Sequence, residues 1–322
     1  MNTISRKGNP VHPFIRLSEM DLASFISSPF DQTGFIDLSH LSLLRVSGED
    51  AETFLQGQFS NDTDSLPDGK AQIHAYCTPK GRAFATLQLL RNRNGFWVLL
   101  PADLAGPFMK RLKMFVMRAK VEIETDPDHF AWGVTGMEDP SGVPSTVPGM
   151  QSVFEYSPRR HLVVSTRPIM TAPETGNVKT YHGDLWRWLD IREGIPQVYA
   201  TTSESFIPQN INLDLIDGIS FKKGCYPGQE IIARIRYLGK PKHRMISGRV
   251  ESGEPVREGT AIYLPERPGQ KAGSVVDSVQ TGIHCYEVSA MVPVVAVSDG
   301  RLSIHSASGP PLRRLSLPYA IP

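Results

Sequence analysis

Apolar positions recur along the chain with a spacing of two in some stretches and three to four in others, which predicts a mixture of strands and helices. Residues up to about 30 are polar, with prolines at 10, 13 and 29, and read as an arm with one short helix near Glu19–Ile26. Phe35-Ile-Asp-Leu38 and Leu41–Val46 have the composition of strands. Ser47-Gly-Glu-Asp50 then opens a helix that carries Phe54 and Leu55 and stops around Gly57. An antiparallel series follows: Ala71–Cys77, a turn at Thr78-Pro-Lys-Gly81, Ala83–Leu90, a turn at Asn92-Arg-Asn-Gly95, and Phe96–Leu100. A helix is expected over Ala102–Met117, with Leu104, Phe108, Leu112 and Phe115 on one side and Pro107 in its opening turn. Val121-Glu-Ile-Glu-Thr125 alternates strictly, as a half-buried strand does. Phe130–Val134 and Leu162–Ser165 are further strands, on either side of a Pro/Gly/Ser-rich loop at 139–149.

Leu185–Glu193 is a compact helix that Gly194 closes and Pro196 prevents from continuing. Of its two tryptophans, Trp186 and Trp188, at most one is expected in the core, because residues two apart cannot share a helix face. A second short helix is expected from Pro227, which suits a first helical position. Ile231, Ile235 and Leu238 would form its apolar stripe. Beyond Gly239-Lys-Pro241 the texture changes to short strands (Met245–Val250, Ala261–Leu264, Gly273–Val279, Tyr286–Val297), as in a small all-β barrel.

A chain of 322 residues exceeds one ordinary core, so two or three domains are expected. With 40% hydrophobic and 21% charged residues it has the composition of a globular protein. The formal net charge of +1 argues against broad electrostatic binding to nucleic acid or membrane and leaves a local basic patch open. Cys77, Cys225 and Cys285 are too few and scattered for a disulfide framework and suit a reducing compartment, so a cytoplasmic protein is expected. No apolar run reaches the length of a membrane span.

The chemistry concentrates at Phe221-Lys-Lys-Gly-Cys-Tyr-Pro-Gly-Gln-Glu230. A thiol just before a helix N-terminus, beside Lys222 and Lys223, has reason to ionise more readily than a free cysteine. Glu230, one turn further on, opposes that or accepts a proton. The alternative is that Cys225 is inert, as most lone cysteines are. His74-Ala-Tyr-Cys77 and His284-Cys285 bring metal-ligand types close together, but no CxxC pair exists and a zinc site is not expected. Walker, GxGxxG and Gly-x-Ser-x-Gly motifs are also missing.

Ile207-Pro-Gln-Asn-Ile-Asn-Leu213 followed by Gly218-Ile-Ser-Phe-Lys-Lys-Gly-Cys-Tyr-Pro-Gly-Gln-Glu-Ile-Ile-Ala-Arg234 resembles the signature of the YgfZ family. These are folate-binding proteins related to the glycine-cleavage T-protein and active in iron–sulfur cluster maintenance and tRNA modification. Gly48, Gln56-Gly-Gln58, Leu66-Pro-Asp-Gly-Lys70, Lys80-Gly-Arg82 and Gly194-Ile-Pro196 extend the match, in order, over residues 33–240. The resemblance implies an α+β fold with three domains in a ring and tetrahydrofolate in a central channel. Residues 1–64 with 126–184 would form one interleaved α+β domain and 65–125 with 185–238 a second, which carries the Lys-Gly-Cys motif. Residues 239–322 would form the terminal barrel.

It further implies Cys225, Lys223 and Glu230 as the reactive group. Trp186, Gln209, Lys223, Gly224, Tyr226 and Gln229 would contact folate. The partners implied are folate, iron–sulfur client proteins and tRNA-modifying enzymes, with no direct nucleic-acid contact, for a monomer. Cys225 would hold a cluster iron or take part in redox exchange. The alternative is a folate-dependent one-carbon transferase. That reading is disfavoured because the T-protein's acidic pair is replaced by Ala85 and Thr86. The family's acidic residue before Gly-x-Pro is also shifted, to Glu193, which weakens its claim to the pterin.

Overall fold

A computed structural model describes residues 14–17, 34–137, 149–168, 179–267, 269–298 and 301–322. The helix expected at Glu19–Ile26 and nearly all of the 139–149 loop lie outside them. In chain order the elements begin with β1 (Gly34–Asp37), β2 (Leu41–Ser47), α1 (Ala51–Gln56), β3 (Ala71–Cys77), β4 (Ala83–Asn92), β5 (Gly95–Pro101) and α2 (Ala102–Lys113). Next come β6 (Glu122–Thr125), β7 (Phe130–Thr135), β8 (Met150–Ser157), β9 (Arg160–Ser165), β10 (Lys179–Tyr181), α3 (Asp184–Glu193) and α4 (Gln229–Leu238). The C-terminal part holds β11 (His243–Glu251), β12 (Ala261–Tyr263), β13 (Lys271–Gly282), β14 (Cys285–Pro293), α5 (Val295–Ser298), β15 (Ser303–Ile304) and β16 (Arg313–Leu315).

The strands form three sheets, ordered β10-β1-β7-β9-β8, β3-β4-β5-β2-β6 and β15-β12-β13-β14-β11-β16. The expected meander is the centre of the second sheet, with Thr78–Gly81 as its first turn. β2 precedes the division expected at residue 64, yet it runs antiparallel to β5 and β6 in this sheet. Two strands had no clear signal: β8, whose register against β9 shifts twice, and the three-residue β10. The C-terminal segment is a six-stranded sheet curled over its own apolar core, which includes Ile246, Val275, Val288 and Ile304.

Three helices depart from the sequence reading. α2 ends at Lys113, a turn early: Phe115 and Val116 bond back three residues rather than four, and Met117 adopts a φ of 44°. Pro107 lies in its second turn and not the opening one, so the helix forgoes the bond that an N–H at 107 would give the Asp103 carbonyl. In α3 both tryptophans are buried, each 2% exposed. They do point to opposite faces, but the helix is covered on both. The Trp186 ring packs on Tyr156 of the first sheet, and Trp188 Nε1 donates to Glu287 of β14 at 2.8 Å. α4 buries Ile232, whereas Ile231 and Ile235 are half-buried and Leu238 is 83% exposed. The helix lies across the β3–β4 turn through Ile231 and turns Ile232 inward, while its last turn projects past the sheet.

Candidate functional site

A cavity of about 900 Å³ opens between the β3–β4 sheet, the β8 end of the first sheet and the segment after α3. Its apolar walls include Ile73, Ile195 and Ile216, with Tyr156 and Tyr319 beside them. Most of its polar lining is already committed. Asn61 Nδ2 donates to the carbonyls of Ile73 (3.2 Å) and Asp217 (2.5 Å), and the Tyr319 hydroxyl donates to the Gly194 carbonyl at 2.8 Å. Lining groups with capacity to spare among the described residues include the Gln88 amide, the buried Ser157 hydroxyl, the Asp217 carboxylate, and the Glu193 oxygen that faces away from Arg160.

Glu193 owes its position to a buried cluster. Arg160 on β9 is fully buried; its guanidinium lies 3.9 Å from the Trp186 ring centroid and 4.7 Å from that of Tyr156. It donates to Glu193 and Asp190, each at 2.9 Å, and the Tyr156 hydroxyl donates to Asp190 at 3.0 Å. Two carboxylates thus share one buried cation. Burial pushes the Asp190 carboxyl up to about 7, against the pull of Arg160. The outcome is a fixed carboxylate edge presented to the cavity at Glu193, with Tyr156 beside it.

The sequence discounts Glu193 because the family's acidic position is shifted there, and Gln88 and Ser157 carry no motif. Among the described residues the lining of this cavity includes none of the residues singled out as reactive or folate-contacting, whereas Pro67, Lys70 and Ile195 of the wider match do line it. Trp186 stands one layer behind it, stacked on Arg160, and Gln209 is buried with its Nε2 on the Ile232 carbonyl at 2.7 Å. Tyr226 is core, and burial raises its phenol well above the ordinary range.

Cys225 itself is exposed. Helix α4 starts at Gln229, behind a turn closed by the Gln229 N–H on the Tyr226 carbonyl at 3.2 Å, so Pro227 stands ahead of the helix and the thiol is not at its first turn. Gly228 carries the reversal with a φ of 81°, and a Cβ there would lie 2.5 Å from the Thr78 carbonyl oxygen. Glu230 is exposed in the first turn, and Gln229 Nε2 reaches the Gly224 carbonyl at 3.4 Å. Gly224 is exposed with open space around its Cα.

Lys223 connects the two places. Its ammonium is held by the carbonyls of Phe59 and Asn61, each at 2.7 Å, and it lies 5.4 Å from the centroid of the Tyr226 ring. Burial lowers its pKa to about 8, with Asp62 and Asp64 resisting. His74, under the same segment, is kept neutral first by burial and then by the Lys223 charge. Its Nδ1 accepts from the Asn61 N–H at 3.3 Å, so the proton sits on Nε2 and is donated to Gln72 Oε1 at 2.8 Å. Ser220 N–H adds a bond to the Ser60 carbonyl at 2.9 Å. The Cys225 loop is thereby pinned to residues 59–61, and Asn61 is a wall of the cavity.

Ala85 is sealed in the core, and the Thr86 hydroxyl accepts from the Val198 N–H at 2.9 Å. Among the described residues no group of three or more metal-binding side chains gathers.

No family model matches the chain. The chain is similar to the tRNA-modifying protein YgfZ of Colwellia psychrerythraea (strain 34H), 29% identical over 310 residues, covering 90% of this chain and 94% of that protein. The counterpart in Enterobacter sp. (strain 638) is 30% identical over 264 residues, 76% of this chain and 81% of that one. That in Shigella sonnei is 28% identical over 284 residues, 83% and 82% of the two chains. Among solved structures, the glycine cleavage system aminomethyltransferase T from Bartonella henselae matches with a TM-score of 0.60 at 16% identity, over 90% of this chain and 86% of that one, a likeness of fold.

Proposed function

The chain belongs to the family of tRNA-modifying protein YgfZ, and from that premise we propose that it binds a reduced folate and serves tRNA modification as an accessory protein. Its folate would sit in the 900 Å³ cavity, and its exposed Cys225 would act on iron–sulfur client enzymes. The observation that carries the folate reading is the set of uncommitted polar groups beside the apolar walls of the cavity. A pterin edge presents adjacent N–H donors, which a carboxylate fixed on one side by arginine accepts well. Glu193 is such a carboxylate, Gln88 and Ser157 offer a donor and acceptors to the remaining ring atoms, and Tyr156 gives an aromatic face. Lys70, ion-paired to Glu155 at 3.0 Å on the rim, suits the ligand's carboxylate tail.

The iron–sulfur cluster enters as cargo of the client. The thiol's place outside the cavity supports a division of labour, with folate bound at one place and the client met at another. Lys223 is the mechanical link between them.

The test is a titration of tetrahydrofolate by tryptophan fluorescence together with a client assay. Glu193→Gln should weaken folate binding about ten- to a hundredfold, in line with the loss of a charge-assisted hydrogen bond of about 1.5–3 kcal/mol. Cys225→Ser should leave that affinity unchanged and lower client activity under oxidative stress. Equal folate affinity in Glu193→Gln and the parent would remove the cavity from the account, and full client activity with Cys225→Ser would remove the thiol.

A further inference from the structure

The net charge of +1 conceals a strong local imbalance. Residues 222–242 hold six lysines and arginines against Glu230 alone, and residues 110–120 hold five with no carboxylate. The two segments flank one hairpin end. Arg111, in the last turn of α2, lies over the rings of Tyr76 and Phe84, at 5.9 and 5.2 Å from their centroids. Gly81, three residues before Phe84, is covered by Ile231 of α4. Phe59 ties the pair: it stacks on Phe108 of α2 and its carbonyl holds Lys223.

Elsewhere, among the described residues, several arginines are neutralised. Arg45, Arg91, Arg160, Arg187, Arg192, Arg244 and Arg249 are each ion-paired to a carboxylate. On the hairpin face, among the described residues, Lys222, Arg234, Arg236, Lys240 and Lys242 have no carboxylate partner. All five are exposed. Flat and apolar side chains lie between the charges: Tyr237 is 66% exposed and sits edge-on to Phe221, which Arg236 covers at 5.3 Å. Met114 and Met117 of the facing segment are 69% and 88% exposed.

Unpaired cations with interleaved aromatic rings match the two demands of a single-stranded or looped RNA, phosphates to neutralise and bases to stack. An acidic protein surface would use the cations and leave the rings without a role. We propose that this face, built by α4 and the end of α2 around the Cys225 loop, docks a tRNA directly. The inference goes beyond the folate and thiol reading and does not need the cavity, so the two fail separately.

The experiment is fluorescence anisotropy of a labelled, unmodified tRNA transcript with the full chain at several salt concentrations, with tetrahydrofolate affinity read on the same samples. The parent should bind tighter than about 100 μM, the weak end of non-specific binding, at near-physiological salt, with log affinity falling linearly in log salt. Arg234→Glu/Arg236→Glu should lose about tenfold or more in tRNA affinity and flatten the salt slope, and Arg234→Gln/Arg236→Gln should lose less. Tyr237→Ala should weaken binding with the slope unchanged. Arg267→Glu, on an exposed loop of the C-terminal sheet, should bind as the parent does. Folate affinity should be constant throughout. The proposal is overturned if the parent does not bind, if the α4 variants bind like the parent, or if poly-glutamate competes as well as tRNA. That last result would assign the face to an acidic protein.

Discussion

At the scale of single residues, Lys223 does the most. It was selected as the activator of a neighbouring thiol, but its ammonium is spent on the carbonyls of Phe59 and Asn61. Its role in this geometry is to hold the cavity wall to the Cys225 loop. Burial lowers its pKa from 10.5 to about 8. Between those two values the unfolded chain still carries a proton that the folded chain has lost. The contribution of this lysine to the unfolding free energy therefore rises as pH increases from about 8 to 10.5. In protein with isotope-labelled methylated lysines, one resonance should titrate near pH 8 and vanish in Lys223→Met; its persistence in that variant would refute the assignment. A motif could name this residue, but not where its nitrogen points, because a four-carbon side chain reaches many partners from one backbone position.

At the scale of elements, α4 shows the limit of periodicity. Its sequence offers Ile231, Ile235 and Leu238 as a stripe, and also Ile232 one position around. A short amphipathic helix can roll by one residue and still bury apolar surface, so the neighbouring sheet decides the roll. Here it buries Ile232 fully and leaves the last turn exposed. Ile232→Ala should cost about 2–5 kcal/mol of stability and Leu238→Ala within about 0.5 kcal/mol, measured by urea denaturation. Equal losses would restore the stripe. The helices bounded by strong signals, α1 before Gly57 and α3 before Gly194, fall where their caps place them. The meander does too, since Thr78–Gly81 and Asn92–Gly95 are turn sequences between apolar runs. β8 and β10 were not legible: one has shifted register and the other is three residues long, too short for any pattern.

At the scale of the whole molecule, α3 is the joint. One face meets the first sheet through Trp186 and Arg160, and the other meets the C-terminal sheet through Trp188, Arg187 and Arg192. Glu287, fully buried, accepts from Trp188, Arg192 and Arg249 at 2.8, 2.5 and 2.6 Å. Arg187 reaches Asp277 and Glu258 alongside. Glu287→Ala would leave the buried indole N–H unpaired and two partly exposed arginines without their carboxylate, and should cost about 1–3 kcal/mol in a chemical denaturation curve. A loss below about 1 kcal/mol would show that the joint is wet, since only solvent-exposed ion pairs contribute so little.

What the sequence by itself determined is what short-range rules govern: the order of strands and helices, the turns at Gly and Pro, the family, and the charge carried by each stretch. What only the tertiary structure decided is which side chains meet. Glu193 reaches the cavity because Arg160, more than thirty residues earlier, holds it there. Cys225 stays outside because a glycine turn, not a helix end, presents it. Both outcomes depend on contacts between segments distant in the chain, and the energy of such contacts is written in no local pattern.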